Sequence, residues 1–213
     1  FIGEFTQSNR EQFVIATKYS LTTRRNDPNG GGNHRKNLVQ TIEGSLKRLN
    51  TDYIDLLWLH AWDFTTPVEE VMRALDDLVR AGKVLYIGIS DTPAWIVSQA
   101  NTLATLRGWT PFIGLQVEYN LLQRAPERDL LPMARTLDIG VTAWAPMAGG
   151  ALSGKYLNEQ TKNEVQRLAP ESKRLNDVNS KIALEVVKIA DEIERTPAQV
   201  ALNWVRQQSG VII

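Results

Sequence analysis

A chain of 213 residues, 43% hydrophobic and 23% charged, has room for one sizeable core, and its 24 basic residues balance its 24 acidic ones. A zero net charge offers no field to recruit nucleic acid or an anionic membrane. The lack of cysteine excludes disulfides and thiolate metal sites, two histidines (His34 and His60) argue against a multi-histidine metal centre, and no apolar run reaches the roughly 18 residues of a membrane helix. No signal-peptide pattern opens the chain, so the expectation is a cytoplasmic protein without metal, membrane or nucleic-acid partner.

Short apolar runs at 13–18, 53–60, 84–90, 112–119, 140–145 and 210–213 read as strands. They are near-continuous and rich in Ile, Leu and Val, which suits parallel strands buried on both faces. Helical periodicity fills the gaps. Leu38, Ile42, Leu46 and Leu49 recur at helical spacing before the second run. Thr66-Pro67-Val68-Glu69 has the pattern of a capping box with proline at the first helical position. Behind it Val68, Val71, Met72, Leu75, Leu78 and Val79 form an apolar stripe that Gly82 stops. Thr92-Pro93 starts the next helix. A helix is expected over 127–137, with its start or straightness compromised by Pro132. Ile182, Val186, Ile189 and Ile193 mark another. Thr196-Pro197 opens the last, with Val200, Ala201, Trp204 and Val205 as its apolar face.

The runs at 53, 84, 112 and 140 begin 31, 28 and 28 residues apart, the length of a repeated strand–helix unit. Such units wind into an open doubly wound sheet or a closed (β/α)8 barrel. Gly30-Gly31-Gly32 lies in a polar loop and does not open a helix with dinucleotide-fold spacing, which favours the barrel. Residues 1–213 then form a single barrel domain with about six of the eight strands, and parts missing at both termini are expected from the start at Phe1 and the apolar end at 211–213. The stretch 149–179 is poor in apolar residues and rich in charge, including Lys155, Lys162, Arg167, Lys173 and Arg174. It reads as a solvated loop or as a lid that clamps an anionic ligand.

A barrel works at the C-terminal ends of its strands. The polar residues there are Lys18, His60, Ser90 with Asp91, Gln116, Tyr119 and Trp144. Each has a plain alternative. Lys18 snorkels to the rim, or it is a desolvated cation that perturbs a neighbour or forms a Schiff base. His60 is a hydrogen-bonded structural residue or a catalytic one. Trp144 is core or a stacking face. His34 reads as solvated, and Asp55 and Glu118 as internal hydrogen-bonding carboxylates.

In order, Ile15-Ala16-Thr17-Lys18, the run from Arg48-Leu49-Asn50-Thr51-Asp52-Tyr53 to His60, Gly82-Lys83-Val84-Leu85-Tyr86-Ile87-Gly88-Ile89-Ser90, Gln116-Val117-Glu118-Tyr119-Asn120 and Trp144-Ala145-Pro146-Met147-Ala148-Gly149-Gly150, continuing to Leu152-Ser153-Gly154-Lys155-Tyr156, resemble the aldo-keto reductase superfamily. The resemblance covers nearly the whole chain. It implies the (β/α)8 barrel, with two strands ahead of the Lys18 strand, and hydride transfer between NADP(H) and an aldehyde or ketone.

The family's active site combines an Asp, a Tyr, a Lys and a His; the resemblance matches Lys18 and His60 to the last two and places the Asp and Tyr upstream of Phe1. Ser90 and Gln116 match positions that hydrogen-bond the nicotinamide carboxamide, and Trp144 matches the aromatic that stacks on its ring. Ala145, Pro146, Met147 and Ala148 match a backbone segment along the cofactor, and Lys155 a pyrophosphate contact. The resemblance places the segment that grips the adenosine phosphate after Ile213, and Arg167 and Arg174 are candidates to supplement that segment. Asp91 departs from the family's usual residue after the serine. Trp62 and Phe64 are expected to wall the substrate pocket or pack its rim. Tyr19 follows Lys18 in the strand and faces the other way, so it does not replace the missing tyrosine. The competing readings are a cofactor-binding regulatory or scaffold relative of the same fold, and a barrel lyase or aldolase using Lys18 as Schiff-base former.

Overall fold

The computed structural model describes residues 1–22, 24–157 and 167–212. Lys162, Ile213 and the middle of the expected covering loop at 149–179 lie outside the described residues. The fold is α/β, with strands β1 (Ala16–Tyr19), β2 (Ile54–Leu59), β3 (Val84–Ser90), β4 (Gly114–Glu118), β5 (Gly140–Trp144) and β6 (Val211–Ile212) in chain order. The helices are α1 (Ile2–Thr6), α2 (Arg35–Leu49), α3 (Val68–Arg80), α4 (Ala94–Arg107), α5 (Leu130–Thr136), α6 (Asp177–Glu192) and α7 (Pro197–Arg206). Pairing is parallel between β1 and β2, β2 and β3, β3 and β4, and β5 and β6. Among the described residues these six strands form one sheet in chain order, as in a partial (β/α)8 barrel. The chain forms two compact units, Phe1–Gln116 with Thr136–Ile139 and Val117–Arg135 with Gly140–Ile213.

In the first unit, strand register is locked by one indole. Trp58, Gly88 and Gly114 are direct partners across β2, β3 and β4. A Cβ added at Gly88 would stand 2.5 Å from the Trp58 ring, and one at Gly114 would stand 2.9 Å from it. Both glycines are therefore dictated by close approach. Strand β1 begins three residues later than the apolar run. The ladder starts at Ala16 opposite Leu56, and Val14 ahead of it is exposed.

The capping box expected at Thr66 does not form, and the helix expected after Thr92-Pro93 starts without a threonine cap for the same reason. Pro67 and Pro93, not the threonines before them, occupy the N-cap positions of α3 and α4. The Thr66 hydroxyl donates to Asp63 Oδ2 at 2.7 Å, and the Thr92 hydroxyl to the Ser90 carbonyl at 2.7 Å, so neither oxygen turns to the helix. Thr196 does form the full capping box with Gln199, and Pro197 follows at the first helical position. His34 is no loop bystander. Its Nδ1 accepts from the Asn37 N–H at 3.2 Å and caps α2.

The second unit is built on Ala148, Ala151, Leu152, Val186 and Ala201, with Met147 and Ile182 packed against them. The buried residues of α6 are Ala183, Val186 and Ala190, whereas Ile189 and Ile193 of the expected stripe are exposed. The proline-containing stretch splits into a 3-10 turn (Ala125–Glu127) and α5, where Pro132 falls in the first turn and costs no hydrogen bond.

Candidate functional site

Lys18 projects from β1, His60 follows the last residue of β2, Ser90 ends β3, and Gln116 lies in β4 opposite Ser90. The Lys18 ammonium donates to the Gln116 side-chain oxygen and lies 5.6 Å from the Trp58 ring centroid, over its face. His60 extends the ladder by one bond, its N–H donating to the Tyr19 carbonyl at 2.9 Å. Ser90 is buried. Asp91 follows it with φ of 38°, a left-handed conformation that aspartate tolerates better than most residues.

These groups sense one another. Burial lowers the Lys18 pKa from its ordinary 10.5, against an opposing pull from Asp91. Burial and then Lys18 hold His60 below its ordinary 6.5, again opposed by Asp91. The cluster thus sets a partly desolvated lysine beside an imidazole held toward its neutral form. That pair can polarise a carbonyl oxygen or lower the pKa of a neighbouring hydroxyl donor. Tyr19 is unsuited to be that donor. Its hydroxyl is buried, and burial together with the Asp63 charge pushes its pKa up.

In the second unit, Trp144 ends β5, and the chain then makes a strained turn. Ala145 and Ala148 have φ of 51° and 50°, and Gly149 and Gly150 have 69° and 100°. Asn120, fully buried, holds this turn. Its Nδ2 donates to the Ala145 carbonyl at 3.0 Å, while its Oδ1 accepts from the Leu122 and Gln123 N–H groups, both at 2.9 Å. A cavity of about 680 Å³ is lined by Trp144, Ala145, Pro146, Met147, Gly149, Gly150, Lys155, Arg167, Leu168 and Arg174. A Cβ at Gly149 would stand 2.8 Å from Leu168, and one at Gly150 would stand 3.3 Å from Lys155, so this backbone surface stays bare. Three cationic side chains and an indole around bare backbone suit a ligand with anionic groups and a flat ring. Arg174 is ion-paired with Glu118.

The structure thus brings Lys18, His60, Ser90 and Gln116 into one group, and Trp144, Ala145, Pro146, Met147 and Lys155 into another, while Ala148 does not line the cavity and is buried in the core of the second unit. Trp62 is packed at 8% exposure, while Phe64 is 66% exposed. Sequence reasoning missed Asn120 and Asp63 as organisers. Asp63 carried a readable signal, because an aspartate two and three residues before Thr65 and Thr66 has the spacing of an Asx turn. Among the described residues no group of three or more His, Cys, Asp or Glu is placed to hold a metal ion, and no helix is long and apolar enough to cross a membrane.

The model of the aldo/keto reductase family matches residues 1–213. The yeast Saccharomyces cerevisiae protein named "Probable aryl-alcohol dehydrogenase AAD4" is 40% identical over 98% of this chain and 67% of its own length. Norsolorinic acid reductase A of Aspergillus parasiticus is 39% identical over 85% of this chain and 48% of its own length. The aryl-alcohol dehydrogenase [NADP(+)] of Phanerodontia chrysosporium is 35% identical over 98% of this chain and 58% of its own length. The chain thus spans about half to two thirds of the length of these three relatives. By the match along all 213 residues and by identity to named dehydrogenases and reductases, this chain belongs to the aldo/keto reductase family of oxidoreductases.

Proposed function

We propose that the protein is an NADP(H)-dependent reductase of aldehydes or ketones, acting on aryl carbonyl compounds in the cytoplasm. The observation that carries this reading is the Lys18 ammonium, desolvated on a strand end, bonded to Gln116 and adjacent in charge to His60. The names of the relatives support the aryl substrate class and, in one case, the phosphorylated cofactor.

When bound, the nicotinamide supplies a hydride to the carbonyl carbon. The rest of the chemistry falls to side chains. Carbonyl oxygen gains negative charge as the reaction proceeds, and a fixed positive charge lowers the energy of that state. The Lys18 ammonium provides the charge, and His60, as a neutral imidazole, orients the carbonyl by hydrogen bonding. The family resemblance assigns the proton donor to a tyrosine outside residues 1–213, whose pKa of about 10 needs a nearby cation to come within reach of neutrality.

The bare, cation-rimmed cradle beside Trp144 fits a dinucleotide. Trp144 is the stacking face, Ala145 to Ala148 the backbone rail, and Lys155 the phosphate contact. Ser90 and Gln116 hold the carboxamide, and Trp62 backs the substrate wall.

Titration with NADPH tests the reading directly. Quenching of tryptophan fluorescence is expected, weakened by Trp144→Ala. In the full-length protein Lys18→Met should abolish benzaldehyde reduction and spare NADPH binding. Tight NADPH binding without turnover by the unmodified protein supports the regulatory relative instead, and a borohydride-trapped adduct on Lys18 supports the lyase.

A further inference from the structure

Lys18, Trp58, Gly88 and Gly114 are register partners along β1 to β4, so their side-chain positions fall on one face of the sheet, in one layer. Two of the four have no side chain, and the Trp58 indole fills their space. Its six-membered ring lies over the bare backbones of both glycines, too close to admit a Cβ at either, and the whole residue is 5% exposed. An indole wedged against two backbones is a fixed surface.

Ser90 and Gln116, two residues beyond the glycines and again partners, belong to the next layer on the same face. Lys18 joins the two layers. Its backbone stands in the lower one, while its ammonium donates to the Gln116 side-chain oxygen in the upper one and stands 5.6 Å from the Trp58 ring centroid, over the face. Strands β1 and β4 are three ladder spacings of about 4.8 Å apart, and the surface that the lysine crosses between them is the indole.

The nature of that surface matters to a cation. Water there would hydrate the ammonium and free it from Gln116. An aliphatic side chain would exclude water but offer the charge nothing. An aromatic face excludes water and also attracts the charge through its quadrupole. The titratable groups that act on Lys18 are Asp91 after β3 and His60 after β2. Both stand at the strand ends, above the indole layer, so the attraction from below comes from the ring.

We infer that Trp58 is a positioning residue for Lys18: its indole face carries the ammonium across the layer and holds it against Gln116. The hold on Lys18 follows from the geometry, and its consequence for turnover rests on the reductase reading above.

The test reads the Lys18 titration directly, from the pH dependence of its acetylation by acetic anhydride, located by mass spectrometry in the full-length protein. Trp58→Leu removes the aromatic face and keeps an apolar side chain, so the Lys18 pKa should fall by about 0.4 to 1.5. Trp58→Phe should bring it back toward the parent value. The direction is diagnostic, because loosened packing alone would admit water and raise it. Biosynthetic replacement of tryptophan by a fluorinated analogue weakens the negative ring face at nearly constant volume. It should lower the Lys18 pKa in the parent and not in Trp58→Phe, which decides the matter if Trp58→Leu does not fold. In benzaldehyde reduction with NADPH, Trp58→Leu should lower kcat about 2- to 30-fold, and Trp58→Phe should recover it. A Lys18 pKa that rises or stays put in Trp58→Leu, or that ignores fluorination, overturns the inference whether or not the protein turns over. An unchanged kcat beside a lowered pKa overturns the part of Trp58 in the reaction. An unmodified protein that does not reduce benzaldehyde, but whose Lys18 pKa falls as expected, overturns the reductase reading alone.

Discussion

The Lys18 ammonium donates its hydrogen bond to the side-chain oxygen of Gln116, two strands away from the neighbour of β1. A residue expected to hold a ligand amide is thus also the anchor of the residue expected to carry the positive charge. Gln116→Leu should leave a half-buried ammonium short of an acceptor and cost about 1–3 kcal/mol. Gln116→Glu should recover that loss, because a carboxylate is a stronger partner for the cation. Urea unfolding of the two variants decides it, and equal stability of the leucine variant and the parent counts against the anchor.

His60 titrates below its ordinary value of 6.5, by burial and by Lys18. The unfolded chain therefore takes up the proton first as pH falls below about 6.5. In that window the unfolded state binds more protons, so stability rises with pH and is lost on acidification. His60→Gln should flatten this part of the profile. The check is the urea midpoint measured at pH 5.5 and 7.5 for both proteins, with an unchanged difference between the two pH values counting against the assignment.

Among the described residues, the Tyr19 hydroxyl is the buried side-chain polar group without a hydrogen-bond partner. A hydroxyl stranded in this way costs about 1–3 kcal/mol, and its ring is otherwise well packed. Tyr19→Phe should raise the thermal midpoint, the reverse of the usual result for a change in a core. A fall in the midpoint would mean that the hydroxyl is bonded in solution.

Asn120 joins the end of β4 to the strained turn after β5. Asn120→Ala should lose about 1–3 kcal/mol of stability. It should also weaken NADPH binding in the fluorescence titration, because Ala145 no longer has a fixed carbonyl. Asn120→Asp, which keeps the acceptor for Leu122 and Gln123 but removes the donor to Ala145, should separate the two effects.

The strands and their order were legible because buried parallel strands write their hydrophobicity without interruption, as in Ile54 to Leu59. The group of Lys18, His60, Ser90 and Gln116 was legible because strand ends on this fold fall at countable positions. What escaped was long-range side-chain chemistry. The role of Asn120 is hidden because its key partner is 25 residues further along the chain. Thr66 is misread as a cap although Asp63, three residues earlier, offers it a closer partner, whereas Thr196 has Gln199 as its partner and caps its helix. Half of the α6 stripe is borne out: Val186 is buried and Ile182 packs on the core, but Ala183 and Ala190 fill the rest of the buried face in place of the more conspicuous Ile189 and Ile193.

The indole of Trp58, spread over the bare backbones at 88 and 114, makes three positions on three strands a single unit of volume. Substitutions there are coupled. Enlarging either glycine alone collides with the ring, and shrinking the ring alone opens a gap beside Lys18. A smaller residue at 58 combined with a larger one at 88 or 114 is the change this layer of the barrel can absorb, so the three sites should drift through evolution as a set and resist change one at a time.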